Sequence, residues 1–306
     1  NREKNAPCDG ILAFRGYAAV TKSKNSIARG IFLAVMLLFM YAPIIVLVVY
    51  SFNSSRTMAN WGGFSLNWYA ALFKDRDIMA ALEVTISVAV LSSLCATVIG
   101  TAAAIGIHAM KRRWRNTVMY LSNIPVINPD IVTGVSLMFA FSLLAVPQGY
   151  TRLLLAHITF NIPYVILSVM PKLRQTSTSL YEAALDLGAT PSVALRKVIL
   201  PQIMPGVISG AILAFTLSID DFVISFFCQQ GTQNLSIYIY SLARRGINPK
   251  INALSALMFV VVLALLLTVN ILGDKNSQEA RKKRAQRKEA RMARKSGTMV
   301  LEGNGT

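Results

Sequence analysis

Charge is what this chain has least of. Only 15% of its 306 residues are charged, against roughly 25% in soluble domains. With 54% hydrophobic residues and a mean hydropathy of +0.50, that deficit excludes an ordinary soluble domain and points to a membrane protein. Cysteine is scarce too. Cys8, Cys95 and Cys228 are an odd number without metal-ligand spacing, which excludes a disulfide framework and a zinc site. The two histidines, His108 and His157, stand too far apart for a local metal motif, so no metal site is expected. No G-x-x-x-x-G-K-[S/T] occurs, so the chain brings no P-loop and is not an autonomous ATPase. Carboxylates number 14 against 31 basic residues, a net charge of +17. Spread evenly, that excess would suggest nucleic acid. Instead nine of the basic residues fall between Arg281 and Lys295, uninterrupted by any aromatic, and most others flank apolar runs. No nucleic-acid partner is expected; the run reads as a solvated tail that touches anionic lipid.

What the chain has in abundance is apolar length. Six runs are candidate membrane spans: Ile31–Phe52, Ala81–Met110, Val118–Val146, Leu153–Met170, Ile203–Phe227 and Ala253–Leu272. The expected architecture is an all-α integral membrane protein of six transmembrane helices over residues 31–272, between an N-terminal tail (1–30) and a basic C-terminal tail (273–306). The N-terminal segment is too long and polar for a signal peptide, and the first span lacks a small-residue cleavage site, so it reads as an anchor. Alternate sides of the spans carry 24 and 7 Lys or Arg, which places both termini in the cytoplasm.

One polar loop carries a motif. Ser179–Pro201, between the fourth and fifth spans, reads SLYEAALDLGATPSVALRKVILP. Glu182-Ala183-Ala184 begins a short helix to which Leu185 and Leu187 add apolar contacts, and Gly188 supplies the left-handed residue that ends it. Thr190 before Pro191 is an N-cap with proline at N1. The second helix is expected to run to Ile199, with Pro201 opening the next span. Such a helix–glycine–helix presents a rigid knob on the cytoplasmic face.

Carboxylates inside the spans are few: Asp220 and Asp221 in the fifth, Asp130 beside Pro129 in the third, and Glu83 at the start of the second. No Lys or Arg lies well inside any span, so these groups have no evident counter-charge. Three readings are open for the aspartate pair. They meet a cationic substrate, they accept hydrogen bonds from Ser218, Ser225, Thr216 or His157, or they relay protons. On one continuous helix the two point roughly 100° apart, with Asp220 about 26 Å above Ile203. Asp130, at a proline kink, has helix-end effects as its plain alternative.

The loop resembles the EAA loop of the membrane subunits of ABC importers: Glu182-Ala183-Ala184, Gly188, then Val198-x-Leu200-Pro201, with valine in place of isoleucine. Asn128-Pro129-Asp130, Ser218-Ile219-Asp220-Asp221-Phe222 and Ile237-Tyr238-Ile239-Tyr240 extend the likeness to the second permease subunit of spermidine/putrescine importers. That resemblance implies a multi-pass protein of the bacterial cytoplasmic membrane that moves polyamines inward by alternating access. It implies a second homologous permease subunit, an extracytoplasmic polyamine-binding protein and an ABC ATPase dimer that binds ATP and Mg, this chain holding no cofactor and being no enzyme. Glu182, Ala183, Ala184, Leu185, Gly188, Leu200 and Pro201 would couple to the ATPase. Asp220, Asp221, Asp130, Phe222 and Tyr238 would line the substrate pathway. The alternatives are an ABC permease for another solute and an ion-coupled secondary transporter that uses the aspartates.

Overall fold

In a bilayer every backbone N–H and C=O must find its partner within the chain, so apolar runs of this length fold as helices. A computed structural model describes residues 26–55, 60–245, 249–264 and 267. In chain order its helices are α1 (Ser26–Ser51), α2 (Asn67–Lys74), α3 (Arg76–Ala109), α4 (Arg112–Ile127), α5 (Asp130–Leu143), α6 (Tyr150–Gln175), α7 (Thr178–Asp186), α8 (Pro191–Asp220), α9 (Val223–Cys228), α10 (Leu235–Arg245) and α11 (Pro249–Ala264). Among the described residues the one β pairing is an isolated bridge between Asn53 and Phe64.

Four helices (α1, α3, α6 and α8) are long and apolar enough to cross a membrane, and α4 with α5 makes a fifth if that bent pair is one span. Two of the expected spans are therefore not continuous. The third, Val118–Val146, turns through 108° at Asn128-Pro129. Proline disfavours the helical region for the residue before it, and Asn128 is extended at φ −71°, ψ 147°. The fifth, Ile203–Phe227, stops at Asp220, because Asp221 is extended at φ −61°, ψ 124° before α9 begins. Of the sixth, Ala253–Leu272, the described part is α11; the two tails lie outside the described residues apart from the first turn of α1.

The core is a three-helix contact among α3, α6 and α8, built on Ala96, Ala104, Val165, Val169, Ile203 and Ala214. Small residues permit it. A Cβ on Gly100 would lie 2.8 Å from the Cβ of Val165, and one on Gly206 would lie 3.0 Å from the Ser168 carbonyl. Gly100→Ala is expected to destabilise the fold by about 1–3 kcal/mol through overpacking, read as a lowered Tm in detergent. At the end of the bundle where α3 begins, Leu72, Ile78, Ala81, Leu235 and Leu254 form a second cluster. By contrast α1 buries none of its apolar window against the rest of the chain.

The helix expected to end at Ile199 does not. Residues Leu195–Ile199 form a π turn, in which the Leu200 N–H reaches back to the Leu195 carbonyl, and the helix runs on to Asp220. A proline ring inside an α-helix collides with the carbonyl four residues earlier. The wider turn before Pro201 opens that spacing, so α8 continues through the proline instead of starting afresh at it.

Candidate functional site

The two helix breaks lie against each other. Helix α9, which follows the second break, packs on α5, which follows the first. The approach is close at Gly134, where a Cβ would lie 3.0 Å from the Phe227 ring and 3.4 Å from the Val223 carbonyl. What fixes the second break is a buried imidazole on α6. His157, 1% exposed, holds Ser218 at 2.6 Å through Nδ1 and Ser225 at 2.9 Å through Nε2. Ser218 precedes the break and Ser225 follows it, so one ring bridges both halves.

The donors can be assigned. The Ser225 backbone N–H and hydroxyl both donate to Asp221 Oδ2, at 2.7 and 2.8 Å, and the Ile224 N–H donates to Oδ1 at 3.2 Å. Asp221 thus caps the first turn of α9. With its only proton committed to Asp221, the Ser225 oxygen accepts from His157 Nε2–H and from Asn234 Nδ2 at 2.8 Å. In the neutral ring Nδ1 then accepts from the Ser218 hydroxyl, whose oxygen contacts Ser92 Oγ on α3 at 3.0 Å. Asn161 Nδ2 donates to Ser92 in turn, at 3.5 Å. Asn234 also donates to the Asp221 carbonyl, and its own carbonyl receives the Ile237 N–H, which ties the start of α10 to the break.

The two aspartates are therefore unlike. Asp221 is nearly buried and fully partnered, with His157 Nε2 3.6 Å from its carboxylate. Asp220 is exposed at the end of α8, with no ion-pair partner among the described residues. The carbonyls of Ser218, Ile219 and Asp220 likewise receive no hydrogen bond there. Of the donors expected for the pair, Ser218, Ser225 and His157 join the network, whereas the Thr216 hydroxyl turns back to the Ile212 carbonyl. Asp130 is the exposed first residue of α5.

Between the breaks lies a cavity of about 200 Å³ lined by Ile131, Phe222, Val223, Phe226, Phe227 and Tyr240. Phe222 is thus placed at it. Tyr238 is not; it packs on the cluster around Leu72 and Leu235. There burial, with Asp75 and Asp77 nearby, pushes its phenol above the ordinary value.

At the opposite end of the bundle, Glu182, Ala183, Ala184 and Leu185 lie on α7. Gly188 ends that helix at φ +83°. Its N–H bonds the Leu185 carbonyl, and the Ala189 N–H bonds that of Ala184, the pair of bonds that defines a Schellman close. Thr190 holds the expected extended conformation before Pro191, though its side chain makes no capping bond. Leu200 and Pro201 stand at the end of the π turn. Leu187, at 88% exposure, is the most solvent-presented large apolar side chain of the hairpin. Sequence reading named it only as an apolar contact.

Residues 96–282 match the family described as binding-protein-dependent transport system inner membrane component. The spermidine/putrescine transport system permease protein PotC of Haemophilus influenzae is 38% identical over 250 residues, 81% of this chain and 97% of that protein. The putrescine transport system permease protein PotI of Escherichia coli is 40% identical over 232 residues, 73% of this chain and 83% of that one. Among solved structures, a chain of a bacterial ABC transporter involved in the import of the acidic polysaccharide alginate superposes with a TM-score of 0.61 at 18% identity, over 82% of this chain and 96% of that one. A chain of the inward-facing MetNI methionine ABC transporter gives 0.55 at 20% identity, over 66% and 98%. Both share the fold.

Proposed function

The chain belongs to the binding-protein-dependent transport system inner membrane components, and from that premise we propose that it is a permease subunit of an ATP-driven importer of polyamines. The relatives named for spermidine and putrescine support the substrate class. The observation that carries the mechanism is continuity. The exposed hairpin α7–Gly188 leads through one unbroken helix, π turn included, to the break beside Asp220. A push on the hairpin therefore passes through the Gly188–Thr190 turn into one continuous helix that ends at the Asp220 carboxylate.

In this reading the protein is a multi-pass component of the bacterial cytoplasmic membrane, with six spans, both termini and the hairpin on the cytoplasmic side. The hairpin docks on a separate ABC ATPase dimer, which binds ATP and Mg. A second homologous permease subunit completes the pathway, and an extracytoplasmic binding protein delivers substrate. Glu182 through Leu185, with Gly188, Leu200 and Pro201, form the coupling element. Asp220, Asp130 and Phe222 face the passing polycation, whose charge compensates carboxylates that are costly in a membrane. Asp220 is aided by the carbonyl end of α8, which favours cations. Asp221 acts on the pathway by holding the break, and Tyr238 by packing the outer cluster.

The test is ATP-dependent uptake of labelled spermidine and putrescine by vesicles carrying the complex. Uptake is expected to require ATP and to survive collapse of the ion gradients; the reverse would favour an ion-coupled transporter. Asp220→Asn is expected to assemble normally and lose most uptake. Asp221→Asn replaces one of the two oxygens that serve three donors with an NH2 group and is expected to lower assembled yield instead. Equal behaviour of the two variants would contradict the division of roles.

A further inference from the structure

The hairpin end of the bundle carries a second polar cluster, on elements that the hairpin itself does not include. There α3 ends at Ala109, α4 begins at Arg112 and α6 ends at Gln175. Ile107 and Leu173 share one buried cluster, with Val118 and Met119 packed against it. Residues one position or one turn away from these are therefore gathered at one place. They are His108 on α3, Arg115 on α4 and Arg174 on α6, and the charges of both arginines act on the imidazole.

Two atoms of this cluster are left over. His108 Nδ1 and Arg115 Nε are both buried, and neither has a hydrogen-bond partner among the described residues. The charge is not balanced either. Lys111, Arg112, Arg113 and Lys172 add four more cations at this end, and the first turn of α4 holds no acid. Glu182 and Asp186 on α7 pair with none of them, since the ion pairs among the described residues are Lys250 with Asp75 and His157 with Asp221. Like charges crowded without a counter-ion repel, and a buried N–H without an acceptor is costly. One anionic oxygen set among these groups relieves both, accepting from Arg115 Nε–H and from the Nδ1–H of a neutral His108 ring.

The surface beside the cluster selects the anion. Trp114 and Leu121, two turns apart, share a face of α4 and are 66% and 59% exposed. An apolar strip thus runs from the basic cluster along the helix, away from the hairpin end. A free phosphate would leave that strip bare, and an acidic segment of a water-soluble partner cannot follow it into the bilayer. A phospholipid satisfies both parts, with its phosphate against the basic groups and an acyl chain along the indole and Leu121.

We propose that His108, Arg115 and Arg174 form a site for the phosphate of an anionic phospholipid in the cytoplasmic leaflet, its acyl chain lying along Trp114 and Leu121. The site uses the membrane orientation proposed above and is independent of the solute carried. Because α4 leads to the first break, an occupied site anchors that half-span at its charged end.

The experiment is tryptophan fluorescence of the intact chain in phosphatidylcholine vesicles that contain brominated lipid, which quenches an indole on contact. The chain has three tryptophans, and the other two, Trp61 and Trp68, lie at the opposite end of the bundle. The difference between the intact chain and Trp114→Phe isolates the Trp114 signal. Brominated phosphatidylglycerol is expected to quench it at a mole fraction on the order of tenfold lower than brominated phosphatidylcholine. Arg115→Gln and Arg174→Gln are each expected to reduce that preference about fivefold; if one fails to fold, the other gives the same reading. Arg113→Gln removes an equal charge about 200° away from Arg115 on α4 and is expected to keep the preference. Equal quenching by the two lipids, or equal losses in Arg113→Gln and Arg115→Gln, would overturn the site. Inorganic phosphate, with ionic strength matched by chloride, is expected to leave the preference in place. Abolition by phosphate would assign the pocket to the free anion, and abolition on adding the ATPase subunit would assign it to an acidic segment of that protein. Either result would overturn the lipid occupant and leave the proposed transport function standing.

Discussion

Replacing His157 with alanine is expected to abolish substrate uptake and to lower the Tm of the purified chain more than any other single substitution considered. The reason is that it removes two buried hydrogen bonds and a buried ring at one point. Ser218 Oγ and Ser225 Oγ each lose a partner in surroundings where both are at most 2% exposed. Each keeps a further partner, Ser92 for Ser218 and Asp221 with Asn234 for Ser225, so each lost bond costs about 0.5–1.5 kcal/mol. A cavity the size of an imidazole is added, and an uncompensated void also costs. The loss is not confined to stability. Without the ring, α8 and α9 are joined by residues 221 and 222, of which Asp221 is extended, and by the Asp221 and Asn234 bonds beyond the break, and the contact from α6 that sets the angle between them is gone. Transport should therefore fall further than the assembled amount does. Ser218→Ala and Ser225→Ala separate the two contributions, since each removes one side of the bridge and leaves the ring in place. Uptake that simply tracks yield in all three variants would reduce His157 to a packing residue.

Leu187→Asp is the second large effect, and it is expected to leave the chain itself untouched. At 88% exposure the side chain supports nothing inside the fold, so the Tm should shift by less than about 0.5 kcal/mol in equivalent stability. Under the proposed function it is the apolar tip that enters a groove on the ATPase, and a central apolar contact of that kind carries about 2–4 kcal/mol of binding. Association with the ATPase subunit should weaken by roughly a hundredfold, with uptake lost in proportion. Gly188→Val is a companion. Nothing lies within 4 Å of a Cβ at Gly188, yet φ is +83°, where a β-branched residue is strained. The hairpin should open and coupling should weaken without a steric clash. Retained co-purification of Leu187→Asp with the ATPase would remove α7 from the coupling interface.

That the chain is all-helical with several helices of membrane length was legible in the sequence, because membrane length and apolar content are properties of a run. Their interruptions were less so. Pro129 announces a kink, and the structure makes it a 108° turn. At Asp221-Phe222 there is neither glycine nor proline, so nothing local distinguishes a broken span from a continuous one. What stops α8 is a carboxylate that accepts three donors from the following turn, a tertiary choice invisible to periodicity. His157 was named as a hydrogen-bond partner for the aspartates, but not as the group that bridges the break. Its partners lie 61 and 68 positions away, beyond any motif. Tyr238 and Tyr240 differ by two positions, which on a helix is about 200° of rotation. The sequence offers no way to say which of the two meets the cavity. The hairpin was the most legible element, since E-A-A, glycine and Thr-Pro act through local backbone geometry; the structure departs from the reading in the continuation through Pro201 and in the capping bond that Thr190 does not make.

The π turn at Leu195–Ile199 also fixes an azimuth. A helix that contains such a turn holds one residue more than a straight α-helix of the same course. That residue corresponds to about 100° of rotation. Everything on the hairpin side of Leu195 is thereby indexed by that angle relative to the face of α8 that carries Gly206, Gly210 and Ser218. The spare residue acts as the spline between a crank and its shaft: it decides which way the knob points for a given seating of the helix in the bundle.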